Sequence, residues 1–174
     1  PIVGIHLGAA FGPSKLWLPE RFASLCRLLE SEKIATVLFG SPADQAIGRQ
    51  IQAEAGVPVA SLIGRDTLEL LPHLLSHLDV FVSGDTGTAH LAAALGIPVL
   101  ALFGPTDPGL TRPLGPVSAT IWKSPPCAPC FLPHCPIDHV CMRSISVEEV
   151  LEKVQDWLSR RVALSPAPPA ASRP

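Results

Sequence analysis

One stretch stands out for its chemistry: Ser83-Gly84-Asp85-Thr86-Gly87-Thr88-Ala89-His90. An apolar run, Val80 to Ser83, leads into it, and a small-residue helical stretch, Thr86 to Leu95, leads out and stops at Gly96. Where a strand end turns into a helix, unpaired backbone N–H groups and the positive end of a dipole make a receptor for phosphate or diphosphate. Gly84 and Gly87 let a ligand approach the backbone, and Thr86 and Thr88 add hydroxyl donors. Asp85 would repel phosphate, so it suits sugar hydroxyls or a helix cap. His90 lies one turn beyond Thr86 on the same side, within reach of a diphosphate or a leaving oxygen. The same residues also suit a bare cap followed by a hydrogen-bonded helix histidine. The pattern is neither a Walker phosphate loop nor the dinucleotide glycine fingerprint.

Four further loops carry polar groups. Gly8-Ala9-Ala10-Phe11-Gly12-Pro13-Ser14-Lys15 ends in a cation that can pair with a phosphate or simply face water. Gly40-Ser41-Pro42-Ala43-Asp44 reads first as a helix start capped by Asp44, with a nucleoside contact as the other account. In Gly64-Arg65-Asp66-Thr67 a base or ribose contact competes with a cap at Thr67. Phe103-Gly104-Pro105-Thr106-Asp107-Pro108 is a stiff turn whose Thr106 and Asp107 would face the same crevice. A fifth segment is Cys127-x2-Cys130-x4-Cys135-x5-Cys141, with His134 and His139 interleaved. These thiols can bind zinc or an iron–sulfur cluster, or stand reduced in a Pro-stiffened loop; the uneven second spacing favours the latter, so no metal is favoured. Cys26, alone in a helical pattern, reads as a small buried side chain.

The elements that must position these loops alternate. Strands are expected at Ile2 to Leu7, Ala35 to Phe39, Val57 to Leu62, Val80 to Ser83, Pro98 to Phe103 and Thr120 to Trp122. Helices are expected at Pro19 to Glu30, Ala43 to Ala55, Thr67 to Leu75, Thr86 to Leu95, and from a Ser146 cap through Leu158. Such alternation predicts an α/β, Rossmann-like parallel sheet with helices on both faces, and ligands beyond the carboxyl ends of its strands. The expected domain spans 1–160 and includes a Cys/Pro-rich segment at 123–142; an Ala/Pro/Ser-rich tail, 161–174, is expected to be disordered.

Composition bounds the function. Of 174 residues 47% are hydrophobic and 16% charged, which excludes a disordered chain. The formal net charge of -2 offers no concentrated basic surface for nucleic acid. No apolar run approaches the roughly 20 residues that cross a bilayer. No basic stretch followed by an apolar run opens the chain, so a cytoplasmic setting is expected. Of the twenty prolines many fall in two places, the stretch from Pro105 to Pro136 and the tail from Pro166 to Pro174. The chain opens at Pro1 within an expected strand and reads as a piece of a longer protein.

Three motifs in order resemble the glycosyltransferase family 9 heptosyltransferases: Gly8 to Lys15 followed by Trp17, Asp85 through Ala94, and Phe103 through Pro108. The Cys segment running into Cys141-Met142 and the last helix resembles the heptosyltransferase II branch. The family usually has Lys-x-Trp-Pro; here Lys15-Leu16-Trp17-Leu18-Pro19 is one residue longer. The resemblance implies the donor-binding half of a two-domain GT-B enzyme. It implies ADP-L-glycero-D-manno-heptose as donor, a lipid A–inner core oligosaccharide as acceptor, inversion at the anomeric centre and no required cofactor. By position, Lys15 would contact the donor phosphates. Thr86, Gly87 and Thr88 would hold the diphosphate, His90 would lie beside it, Asp85 would hold heptose hydroxyls and Asp66 would contact the adenosine. The general base and the acceptor would belong to an N-terminal domain, with membrane association at the inner face of the inner membrane only in the longer protein. Two other accounts fit the same residues: a non-catalytic nucleotide-binding module with a Cys-ligated zinc, and a family 9 transferase with another sugar or acceptor.

Overall fold

The computed structural model describes residues 1–8 and 11–164. Six strands, β1 (Ile2–His6), β2 (Ala35–Phe39), β3 (Ala60–Ser61), β4 (Val80–Gly84), β5 (Val99–Phe103) and β6 (Ser118–Trp122), form one sheet. Its order is β3-β2-β1-β4-β5-β6 and every neighbouring pair is parallel. Seven helices accompany it: α1 (Pro19–Ser31), α2 (Gln45–Ala55), α3 (Leu71–Ser76), α4 (Gly87–Ala94), α5 (Pro108–Thr111), α6 (Val140–Arg143) and α7 (Val147–Leu164). No helix among the described residues is long and apolar enough to cross a membrane.

The central strands read as unbroken apolar runs because both faces are covered. Val3, Ile5, Val82, Leu100 and Leu102 pack on one side against α1 and α7, while Phe39, Phe81 and Val99 pack on the other against α3 and α4. The small residues of α4 serve this packing: Ala89, Ala92 and Ala93 are buried and let the helix lie close to the sheet.

Most expected elements are present, and three departures have local causes. The strand expected over 57–62 is reduced to Ala60–Ser61, since Pro58 lacks the N–H a longer ladder needs. The helix expected from Thr67 starts at Leu71, which puts Pro72 in the first turn; a start at Thr67 would put it in the interior. The last helix runs to Leu164 rather than ending at Leu158, so residues 161–164 are not the disordered tail expected of 161–174. The rest of that expected tail, 165–174, lies outside the described residues. As expected, Ser146 starts this helix: its Oγ accepts from Glu149 N–H at 3.2 Å while Glu149 Oε2 accepts from Ser146 N–H at 3.2 Å.

Candidate functional site

From β1 the chain runs outward to β2, and from β4 to β5 in the opposite direction, so a crevice opens between β1 and β4 at their carboxyl ends. A cleft of about 660 Å³ lies there, and its walls include Lys15, Asp44, Asp85, Gly87 and Thr88. The expected phosphate loop and the expected lysine loop, 70 residues apart in sequence, meet in it.

Lys15 and Asp85 form the centre. Lys15 Nζ lies 2.6 Å from Asp85 Oδ2, with the two side chains only 11% and 9% exposed. Thr106 Oγ1 donates to the same oxygen at 2.9 Å, and the Phe11 ring lies 4.8 Å beneath the ammonium group. Asp85, read from sequence as a holder of sugar hydroxyls or a cap, thus holds a cation at the mouth of α4. Nor does Asp85 cap α4. Thr86 does: its Oγ1 accepts from Ala89 N–H at 3.3 Å and is bonded to Ser83 Oγ at 2.9 Å. The amides of Gly87 and Thr88, in the first turn, precede the first intrahelical bonds and remain for a ligand.

The lysine turn, Pro13–Lys15, is held from an unexpected quarter. Ser14 Oγ donates to Leu132 C=O at 2.5 Å, Ser14 N–H donates to Pro133 C=O at 3.1 Å, and His139 Nε2 donates to Ser14 C=O at 2.6 Å. Phe131 N–H donates to Pro105 C=O at 2.9 Å. The Cys/Pro-rich segment thus braces both the loop bearing Lys15 and the loop bearing Thr106. Gly12 permits this approach: its φ is +147°, and a Cβ there would fall 2.5 Å from Pro133 O. Nothing in the local sequence signals the bracing of the lysine turn, because it joins residues more than a hundred positions apart.

Other expected residues are placed elsewhere. His90 is exposed on α4 and does not line the cleft. Asp66 stands behind the cleft wall, its Oδ2 accepting from Gly40 N–H at 3.1 Å. Asp44 closes a capping box with Ser41, its Oδ2 accepting from Ser41 N–H at 2.7 Å, and its side chain lines the cleft. Thr67 is exposed and turns the chain ahead of α3. Cys127, Cys130, Cys135 and Cys141 are free thiols, and no group of three His, Cys, Asp or Glu side chains among the described residues is placed to hold a metal. Burial pushes the Cys141 thiol above its ordinary pKa, and the neighbouring thiols of Cys127, Cys135 and Cys130 act in the same direction. One residue that the sequence reading passed over lines the cleft: His6, the last residue of β1, visible beforehand only as a polar residue ending an apolar strand. A second hollow, of about 380 Å³ between β6 and α7, is lined by Glu149, Glu152, Lys153 and Asp156, of which Lys153 pairs with Asp156 at 3.7 Å.

Residues 1–141 match the model of glycosyltransferase family 9 (heptosyltransferase). The chain belongs to this family. It is 36% identical over 118 residues to lipooligosaccharide heptosyltransferase 2 of Haemophilus influenzae, covering 66% of this chain and 34% of that protein. It is 31% identical over 163 residues to the heptosyltransferase 2 of Campylobacter jejuni, covering 90% of this chain and 51% of that one. The structure of Escherichia coli ADP-heptose LPS heptosyltransferase II superposes with a TM-score of 0.80 at 30% identity, over 93% of this chain and 47% of the other. The chain therefore spans between a third and a half of the length of these family 9 relatives, and its fold is one Rossmann-like half of theirs.

Proposed function

We propose that this chain is the donor-binding half of an inverting glycosyltransferase that moves heptose from ADP-heptose to the inner core of lipopolysaccharide. The observation that carries the reading is the buried Lys15–Asp85–Thr106 group set against the open N-terminus of α4 at the sheet's switch point. One neighbour of the same fold, an Escherichia coli heptosyltransferase, was solved with ADP and with ADP-2-deoxy-2-fluoro heptose. In this reading Lys15 and the amides of Gly87 and Thr88 hold the diphosphate. Asp85 sets the position of Lys15 through Oδ2 and keeps the acceptor capacity of Oδ1 for a heptose hydroxyl. Asp44, at the cleft wall, and Asp66, behind it, stand on the side where a nucleoside would lie, and exposed His90 serves only if the bound donor extends past the first turn of α4.

The chemistry is a single displacement. The acceptor hydroxyl oxygen bonds to the anomeric carbon as the bond from that carbon to the β-phosphate oxygen breaks, and ADP departs with the electron pair. Charge growing on ADP is met by the ammonium and amide dipoles already in place, which lowers the barrier. The hydroxyl's proton passes to a base that, with the lipid A–core acceptor, belongs to the half of the longer relatives that this chain does not match. No metal is needed for this role, and the site lies on the cytoplasmic side, where nucleotide sugars are made. Calorimetry with ADP tests the reading. ADP should bind the parent chain, and Lys15→Ala and Asp85→Ala should each weaken it by about tenfold or more, the scale of a lost charge-assisted bond. Absence of ADP binding, or variants that bind as well as the parent, would overturn it.

A further inference from the structure

We propose that His6 is a positioning residue that fixes the hydroxyl of Thr88 as a hydrogen-bond donor to the diphosphate, an inference that rests on the donor-site reading above. His6 closes β1 and Thr88 lies in the first turn of α4, so the pair bridges the two strands of the switch point.

The assignment follows from hydrogen bonds. Gly8 N–H donates to His6 Nδ1 at 3.2 Å. An amide N–H can only donate, so Nδ1 is the bare nitrogen and the neutral ring carries its proton on Nε2. Nε2 lies 3.3 Å from Thr88 Oγ1, and with that proton it donates. A hydroxyl that accepts in this way still has its own hydrogen to give, and Thr88 lines the cleft. Thr86, the other hydroxyl at this turn, is already engaged with Ala89 N–H and Ser83 Oγ. Thr88 is therefore the hydroxyl of this turn that no capping bond holds, and His6 orients it.

The surroundings keep the ring in this state. Burial holds His6 below the ordinary histidine value, outweighing the carboxylates of Asp66 and Asp44 and the backbone of Gly8, which favour the charged form. Burial thus favours the neutral ring, and in the observed geometry a proton on Nδ1 would oppose the Gly8 N–H. The Phe81 ring meets it edge-on at 6.4 Å, and a Cβ on Gly8 would come within 2.9 Å of His6 Cε1, so the imidazole is closely packed on two sides.

Two measurements on the 174-residue chain test this. Two-bond nitrogen–proton NMR correlations of the imidazole at neutral pH should show the Nε2–H tautomer for His6; an Nδ1–H form overturns the proposal whether or not ADP binds. A double-mutant cycle with ADP then reads the coupling. Thr88→Val should weaken ADP about tenfold. His6→Asn, which keeps an acceptor for Gly8 but loses the reach to Thr88, should weaken it by about three- to tenfold. The double variant should bind like Thr88→Val alone. His6→Gln, which can still donate to Thr88, should recover most of the affinity and guards against a folding defect in His6→Asn. Additive losses, or His6→Asn binding like the parent, would show that His6 does not act through Thr88. A parent chain that binds no ADP overturns the donor reading and this proposal with it, a result distinct from a failed cycle.

Discussion

Cys26 and Cys127 carry the same thiol in opposite settings. Cys26, on the buried face of α1, is 1% exposed, and burial pushes its pKa from the ordinary 9.0 up to about 12; Cys127 is exposed. The thiolate is the reactive form, so environment decides reactivity. Iodoacetamide at pH 8 should label Cys127 and the partly exposed Cys130 and Cys135, leaving Cys26 and the buried Cys141 unlabelled until the chain unfolds, as peptide mass spectrometry would show. The same shift gives a sign for alkaline stability. Between about pH 9 and 12 the folded chain holds the Cys26 proton and the unfolded chain releases it, so stability falls as pH rises through that window. Urea midpoints that stay flat over this range would contradict the burial of Cys26.

At the scale of elements, the Pro-rich segment replaces regular structure with docking. It makes no strand or helix before α6, yet its Leu132 and Pro133 carbonyls hold the turn that delivers Lys15. The contact depends on Gly12, where a side chain would meet both a positive φ and backbone atoms of Pro133. Gly12→Ala should therefore cost about 1–3 kcal/mol of stability, as overpacking against backbone does, and should weaken ADP binding as well. Urea denaturation and calorimetry check the pair of effects together. Lost stability with unchanged ADP affinity would mean that the segment does not position Lys15. Trp17 and Arg21 reinforce the neighbouring helix start, both donating to Ile145 C=O, with Trp17 Nε1 at 3.1 Å. Through these bonds α1 keeps its seat against the residues preceding α7.

At the scale of the whole molecule, the sheet's switch point is a joint between two halves of one layer. β1 and β4 meet there, and the loops that follow them supply both His6–Gly8 and Asp85–Thr88. A ligand held by both loops ties the halves together and stabilises the folded state by mass action. With ADP at about 100 times its Kd the gain is about 2.7 kcal/mol, or a rise of roughly 5–11 °C in Tm for a chain of this size. Thermal unfolding with and without ADP measures it, and Lys15→Ala should flatten the response. An unchanged Tm at saturating ADP would argue against a site spanning the joint.

Local sequence determined the alternation of strands and helices, because the periods of buried side chains and the stops at Pro58, Gly56 and Gly96 act within a few residues. It also determined the loop at the mouth of α4, since a strand end, glycines and hydroxyls in a row define a helix mouth by themselves. The partners of that loop are another matter. That Asp85 pairs with Lys15 and Thr106, that Thr86 rather than Asp85 caps α4, that His90 faces away and that the Cys segment braces Lys15 all depend on which loops the parallel crossovers bring to one end of the sheet. Side-chain bonds across 70 or 118 residues leave no periodicity to read. They exist only once the sheet order β3-β2-β1-β4-β5-β6 has put β1 beside β4.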